Sequence, residues 1–229
     1  MPPKTKVTKE SILAAALQLV RESGAAALNA RAVAKRLDCS TQPIFSNYAS
    51  MEELREDVLK AADERYQQYL ADGRKDPSYP PYKASGMAYI RFAKEERELF
   101  KLLFMRDRSG EIIEEDREGI ADLIQLIAAN TGLSPDEAYL FHLEMWIYVH
   151  GIATMVATAY LDWDWEMISR LMTDAYEGIK GRFTAAPARK MCIRDRNTAV
   201  SPPNQIPIFF FSWGMPPTIL PVCPFIASV

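Results

Sequence analysis

Histidine and cysteine are nearly missing from this chain: 229 residues contain two of the first and three of the second. Cys192 and Cys223 fall in a proline-rich tail, which leaves Cys39 as the lone thiol of the part that reads as folded. No disulfide framework and no metal-ligand spacing can be assembled from that set. With His142 and His150 as the only histidines, no glycine-rich phosphate loop and no nucleophile elbow, the chain offers no catalytic constellation. Adjacent acids such as Glu114 and Glu115 read as a solvated helix face. An enzyme, a bound metal and a cofactor are therefore not expected. Long apolar runs are missing too. No window approaches the roughly 18 uninterrupted apolar residues of a membrane span, and the opening MPPKTKVTKE has no apolar stretch of a secretory leader, so a cytoplasmic location without membrane contact is expected.

What is present is ordinary in amount and uneven in distribution. Hydrophobic residues make up 48% and charged residues 25% of the chain, as in a globular protein with a buried core. The formal net charge of −3 conceals a split. Up to Tyr48 there are seven basic residues against three acidic ones, a net +4, and the rest carries 20 against 27, a net −7. A basic end on an acidic protein favours an anionic partner at that end.

Periodicity predicts helices throughout and no strand before residue 184, hence an all-α fold. Ile12, Ala15, Ala16, Leu19 and Val20 recur at helical spacing behind Thr8 as N-cap, and Gly24 stops that helix. A second follows Asn29, with Ala30, Val33, Ala34 and Leu37 on one face. Ser40 is read as the cap of a third, short helix with Pro43 in its first turn, where the missing N–H breaks no bond. Ser50 with Glu53 reads as a capping box before a long connector helix carrying Leu54, Val58, Ala62, Tyr66 and Leu70. After the break ADGRKDPSYPPY, one helical region is expected from Met87 to Phe104, then helices over 112–130, 135–160 and 164–182, the third-last preceded by a loop near MRDRSG. Ser134 and Glu137 form a second capping box, with Pro135 at the first helical position. The domains are read as 1–50, 51–183 and a tail, 184–229, that holds eight of the 15 prolines and cannot extend a helical bundle. Its segment MCIRDR, 191–196, resembles a translated sequencing-adapter junction; the tail is either an artefact of that kind or a mobile apolar extension.

RAVAKRLDCSTQPIFSNY, residues 31–48, has the form of a helix-turn-helix: a helix, a tight turn, and a short helix opening with polar side chains. In such a unit the second helix enters the major groove of double-stranded DNA. Ser40, Thr41 and Gln42 are then placed at base edges or phosphates, and Gln42 can pair an adenine edge bidentately. Ser46, Asn47 and Tyr48, with Arg31 and Lys35 from the preceding helix, are expected to meet phosphates and set register. Ile44 and Phe45 are expected in the core, and Cys39 to pack near the turn.

The longer stretch LNARAVAKRLDCSTQPIFSNYASMEEL resembles, nearly position for position, the second helix, recognition helix and start of the fourth helix of the TetR family of repressors. The resemblance covers about residues 8–70, and the usual length of the family matches the end of the helical pattern near 183. It implies a three-helix DNA-binding domain joined by a long helix to a helical-bundle domain for ligand binding and dimerisation. It also implies a homodimer on a palindromic operator, made by the last two helices. Two positions depart from the family pattern. Asp38 replaces the turn glycine, and Met51 replaces the lysine that contacts phosphate at the start of the fourth helix, which implies weaker or less salt-dependent binding.

In YLFHLEMWIYVHGIATMVATAY, residues 139–160, Trp146 and His150 are four apart on one helix face, with Gly151 next. This W-x-x-x-H-G spacing resembles one subclass of the family's C-terminal domains. The resemblance implies a pocket for a small apolar or aromatic effector walled by Phe92, Phe104, Met105, Phe141, Met145, Trp146 and Met155, with His150 as its polar group. The bland reading of the same residues is that aromatic and methionine stripes at helical spacing are core. A TetR-like adaptor that binds a protein instead of DNA is the alternative function.

Overall fold

In the computed structural model, residues 7–107 and 121–184 are described, and all regular structure among them is helical. The helices are α1 (Lys9–Ser23), α2 (Ala30–Arg36), α3 (Gln42–Asn47), α4 (Met51–Gly73), α5 (Pro81–Glu95), α6 (Arg97–Phe104), α7 (Ala121–Thr131), α8 (Pro135–Ala157) and α9 (Trp165–Thr184), with a single 3-10 turn, Ala25–Ala27, after α1. The part of the 112–130 helix before Ala121, the end of MRDRSG and the tail from 185 onward lie outside the described residues.

The helix ends follow local chemistry. Thr8 caps α1 through its side chain, with Ser11 answering to the cap backbone, and Gly24 closes the helix at φ 78. Ser134 and Glu137 form the expected reciprocal box on α8. At α4 only half of the expected box forms. Ser50 accepts from the Glu53 N–H, but the Glu53 carboxylate reaches past it to the Ala49 N–H and to Lys9. The turn after α2 is a Schellman motif. Asp38 takes a left-handed φ of 49, the Cys39 N–H bonds the Ala34 carbonyl, and the Asp38 N–H bonds that of Lys35. Asp38 thus does the work of the glycine it replaces.

Two expectations change. α3 starts one residue later than predicted: Thr41 sits at its N-cap position, no side chain caps it, and Ser40 belongs to the turn. The single region Met87–Phe104 is two helices, α5 and α6, broken at Glu96 (φ −119, ψ 51). The apolar spacing lapses from Lys94 to Glu98, five charged residues in a row, and the break falls in that stretch, where Glu96 receives the two arginines described below.

The main core joins both ends of the chain. Ile12, Ala16, Val20, Val33, Ile44 and Tyr48 from the first three helices are continuous with the buried faces of α4, α5, α6 and α8. A smaller cluster around Phe141 and Met145 joins α7 to α8 and α9. By length and composition α8 is apolar enough to cross a bilayer, but it lies packed against α5, α7 and α9, with nine buried residues. A helix that is apolar on most sides is also what the centre of a bundle requires.

One carboxylate sits uneasily in this packing. Asp63 on α4 is half-buried, with one oxygen enclosed and without a hydrogen-bond partner. Burial pushes its pKa up to about 6; Glu64 adds to the rise and the Gln67 side chain opposes it. A folded-state pKa above the unfolded value of 3.8 means that the native state holds the proton more tightly, so stability is lost as pH rises through about 6. Asp63→Asn is expected to melt roughly 2–4 °C higher than the parent at pH 7.5, after allowance for partial exposure. The gap should close near pH 4, as read by circular dichroism melts across the range.

Candidate nucleic-acid interface and apolar core

A six-residue helix can bury only a narrow stripe. Ile44 and Tyr48, one turn apart, take the inner side of α3 and its end, at 0% and 1% exposure. Phe45 is rotated by about 100° from Ile44 and is therefore 52% exposed. The expectation that both Ile44 and Phe45 are core holds for Ile44 alone. Phe45 lies one turn from Gln42 on the outer side, a candidate contact that the apolar reading of the sequence missed. The observation that decides it is which neighbour of the Ile44–Phe45 pair shares a face with Tyr48.

Around it the structure gathers most of the predicted set. Ser40, Gln42 and Ser46 are exposed, Thr41 and Asn47 partly so. Ser46 donates to the Gln42 carbonyl at 2.9 Å and Asn47 to that of Pro43 at 2.7 Å, which holds both against their own helix. Arg31 and Lys35 are exposed on α2, and no acidic side chain pairs with either among the described residues. Arg36, by contrast, is engaged by Glu22. Tyr48 stands apart from the predicted set. Its ring is core under Lys9, whose Nζ lies 4.5 Å from the ring centroid, and its hydroxyl is enclosed. Burial, and after it the Asp57 charge, push the phenol up to about 12. Tyr48 thus positions α3 and presents nothing outward. Cys39 is a partly buried free thiol packed on the core, as expected.

The predicted effector residues divide into three groups. Phe92, Phe104, Trp146 and His150 share one aromatic cluster with Tyr66, Tyr89 and Phe100, which the sequence reading did not include. His150 stacks on Trp146 at 5.3 Å and its Nδ1 lies 2.7 Å from the Tyr89 hydroxyl; burial lowers its pKa. Tyr66 meets both Phe92 and Phe104, at 5.2 and 5.1 Å. Phe141 and Met145 belong to the second cluster, beside Tyr82 and Tyr176. Met105 and Met155 are 41% and 39% exposed. The eight residues therefore do not line a single wall. A cavity of about 470 Å³ lies between α5, α7, α8 and α9, and Met145 is the only one of the eight that touches it. Behind it His142 is buried, its pKa pushed down to about 3 by desolvation, with Nδ1 3.2 Å from the Tyr82 hydroxyl. Among the described residues no group of three His, Cys, Asp or Glu side chains is placed to hold a metal ion.

The two ends of the molecule are tied by a charge cluster that no sequence pattern announced. The Glu96 side chain is 4% exposed and accepts a two-point contact from Arg21 of α1, at 2.6 and 2.8 Å. Arg65 of α4 donates from Nε to the same carboxylate at 3.0 Å and brings Nη2 within 2.9 Å as an ion pair. Three segments, from both predicted domains, converge on one carboxylate. Three charge-assisted hydrogen bonds and a further ion-pair contact offset much of the cost of its burial.

Residues 82–176 match the family model described as the tetracyclin repressor-like C-terminal domain. The fold is that of a TetR-like transcriptional regulator from Rhodococcus sp. RHA1, with a TM-score of 0.52 at 17% identity over 80% of this chain and 97% of that one. A member of the TetR family from Streptomyces coelicolor A3 is similar over 73% of this chain and 96% of its own, at 19% identity and a TM-score of 0.46. The multidrug binding protein EbrR, solved with imidazole, is similar over 72% and 93%, at 18% identity and a TM-score of 0.45. No curated protein matches the chain. The model match is confined to residues 82–176, and the likeness to the Rhodococcus structure is one of fold.

Replacing Glu96 by glutamine keeps the shape and removes the charge. Because both arginines are partly solvated, Glu96→Gln should lower the unfolding free energy by about 1–3 kcal/mol; urea unfolding at neutral pH measures it.

Proposed function

We propose that this chain is a ligand-responsive transcriptional regulator of the TetR type, a repressor that binds a palindromic operator as a homodimer and is released by a small apolar or aromatic effector. The observation that carries the reading is the outer side of α3. Among the described residues nothing takes up the side-chain hydrogen-bonding groups of Ser40, Thr41 and Gln42, and no acidic side chain pairs with Arg31 or Lys35 on the neighbouring helix. Such an arrangement serves base edges and phosphates better than it serves the fold, because exposed like charges and an exposed phenylalanine stabilise nothing here. Phe45 adds an apolar contact of the kind that recognises a thymine methyl group.

Dimerisation is supported by what the outer faces of α8 and α9 leave uncovered. Leu140, Ile147, Tyr148 and Met155 on α8 and Met167 on α9 are exposed. Gly151, Gly178 and Gly181 on the same two helices have open space where a Cβ would stand. A glycine inside a helix costs about 1 kcal/mol relative to alanine, and nothing among the described residues requires these three. Close approach of a second copy would require them. Two recognition helices held about 34 Å apart then read successive turns of one duplex face. The Trp146–His150 stack with Gly151 supports the W-x-x-x-H-G reading, and its aromatic cluster is a place for an effector to act, next to the α5–α6 break. A coupling of about 1–3 kcal/mol between that cluster and the spacing of the recognition helices would suffice for a switch.

Selection of bound fragments from random duplex DNA, followed by mobility shift on the enriched sequence, tests the reading. Gln42→Ala and Phe45→Ala should relax base preference by roughly 1–3 kcal/mol at one position each, while Arg31→Ala weakens all sequences alike. Absence of any sequence-dependent shift at physiological salt would favour the adaptor. Ile147→Glu should convert the dimer to monomer in sedimentation velocity and weaken operator binding without changing helix content. Trp146→Ala should abolish release by effector while leaving operator binding intact.

A further inference from the structure

The cavity between α5, α7, α8 and α9 is lined differently from the aromatic cluster at His150. Its inner wall is apolar and adaptable: Met145 and Met172 are 2% and 3% exposed and Val149 is fully buried. Methionine walls accommodate flexible chains of irregular shape. Among the described residues its rim carries one cation, Lys83 of α5, which is half-buried and held in place from two sides. The ammonium donates to the Thr173 hydroxyl of α9 at 2.7 Å and lies 5.3 Å from the centroid of the Tyr79 ring.

What Lys83 lacks is a carboxylate. No acidic oxygen lies within ion-pair distance of it among the described residues, and burial lowers its pKa, so its charge is partly desolvated and is met only by a hydroxyl and a ring face. The contrast with Lys94 is direct, because that lysine lies in a comparable position further along α5 and is paired with Asp162 at 3.1 Å. Glu177, one turn beyond Thr173, also borders the cavity, but it is exposed and does not reach Lys83. Its solvated charge leaves room for a single negative group at the rim and disfavours a doubly charged phosphate.

We propose that this cavity binds an amphipathic monocarboxylate, with the acid at the Lys83 ammonium and the apolar chain against Met145, Val149 and Met172. A volume of about 470 Å³ is within the usual range for small-molecule sites, and a half-buried ammonium stationed over an apolar chamber is the arrangement such a ligand complements. The site does not depend on the DNA-binding reading, because its occupancy is read on the protein alone.

Calorimetric titration of the full chain with sodium decanoate, 1-decanol and decyltrimethylammonium, each below its aggregation concentration, tests the assignment. Decanoate is expected to bind at one per chain and about tenfold more tightly than either analogue. Lys83→Met should abolish that preference while leaving 1-decanol unchanged, and Lys83→Arg should restore it. Leu126→Trp, which narrows the cavity from α7, should weaken both decanoate and 1-decanol. Melting curves without ligand confirm that each variant is folded. Equal affinity for decanoate and 1-decanol, or decanoate binding indifferent to Lys83→Met, would overturn the proposal. So would decanoate binding that survives Leu126→Trp and is lost in His150→Ala, which places the ligand in the aromatic cluster instead.

Discussion

The rest of the molecule turns on a single buried carboxylate. Glu96 lies where α5 ends and α6 begins, and it receives donors from Arg21 and Arg65. A continuous helix from Pro81 to Phe104 would have to carry Glu96 as one of its regular turns. Held by two guanidinium groups, it instead takes a non-helical backbone, and the chain changes direction there. That redirection lets Leu99, Phe100, Leu103 and Phe104 face the interior, where Phe100 meets His150 and Phe104 meets Tyr66 and Tyr89. The carboxylate that binds α1 and α4 is thus also the one that sets the orientation of the aromatic cluster.

This dual position gives the proposed switch a physical path. A molecule that displaces rings in the cluster shifts α6, and α6 begins one residue after the carboxylate that grips α1 and α4. Glu98, in the first turn of α6, is equally close to the other end: a Cβ on Gly24 would come within 2.8 Å of its Oε2. The glycine that ends α1 therefore also makes room for α6. Interfaces of this density shift between discrete packings instead of deforming smoothly, so a small change at the rings can reappear as a change in the angle of the first three helices.

The surface of α3 follows from a stricter economy. Six residues supply one buried stripe, and Ile44 with Tyr48 fills it. Everything else on the helix must face outward, which leaves Gln42, Phe45 and Ser46 together. Tyr48 forms the boundary: its ring anchors the helix under Lys9, and Lys9 in turn bridges to Glu53 and Asp57 on α4. The outward surface is presented on a base pinned to both α1 and α4. The proposed reading of DNA by two copies of α3 needs such a rigid base, because only then does the distance between them mean anything.

Short-range chemistry was legible in the sequence. The caps at Thr8 and Ser134, the Gly24 stop, the left-handed Asp38, the apolar stripe of α4 and the all-helical fold are decided by residues within a few positions of each other, because helix ends and faces depend on spacing and on local hydrogen bonds. Where tertiary contacts decide, the sequence was silent or misleading. The choice of Ile44 over Phe45 for the core depends on where α1 lies. The burial of the Glu96 carboxylate depends on arginines 75 and 31 residues away. The division of the aromatic and methionine residues between the His150 cluster, the Phe141 cluster and open surface depends on how four helices cross. Periodicity says that a residue has an apolar face beside it; only packing says which neighbour occupies that face, and whether a space is left over, as it is beneath Lys83.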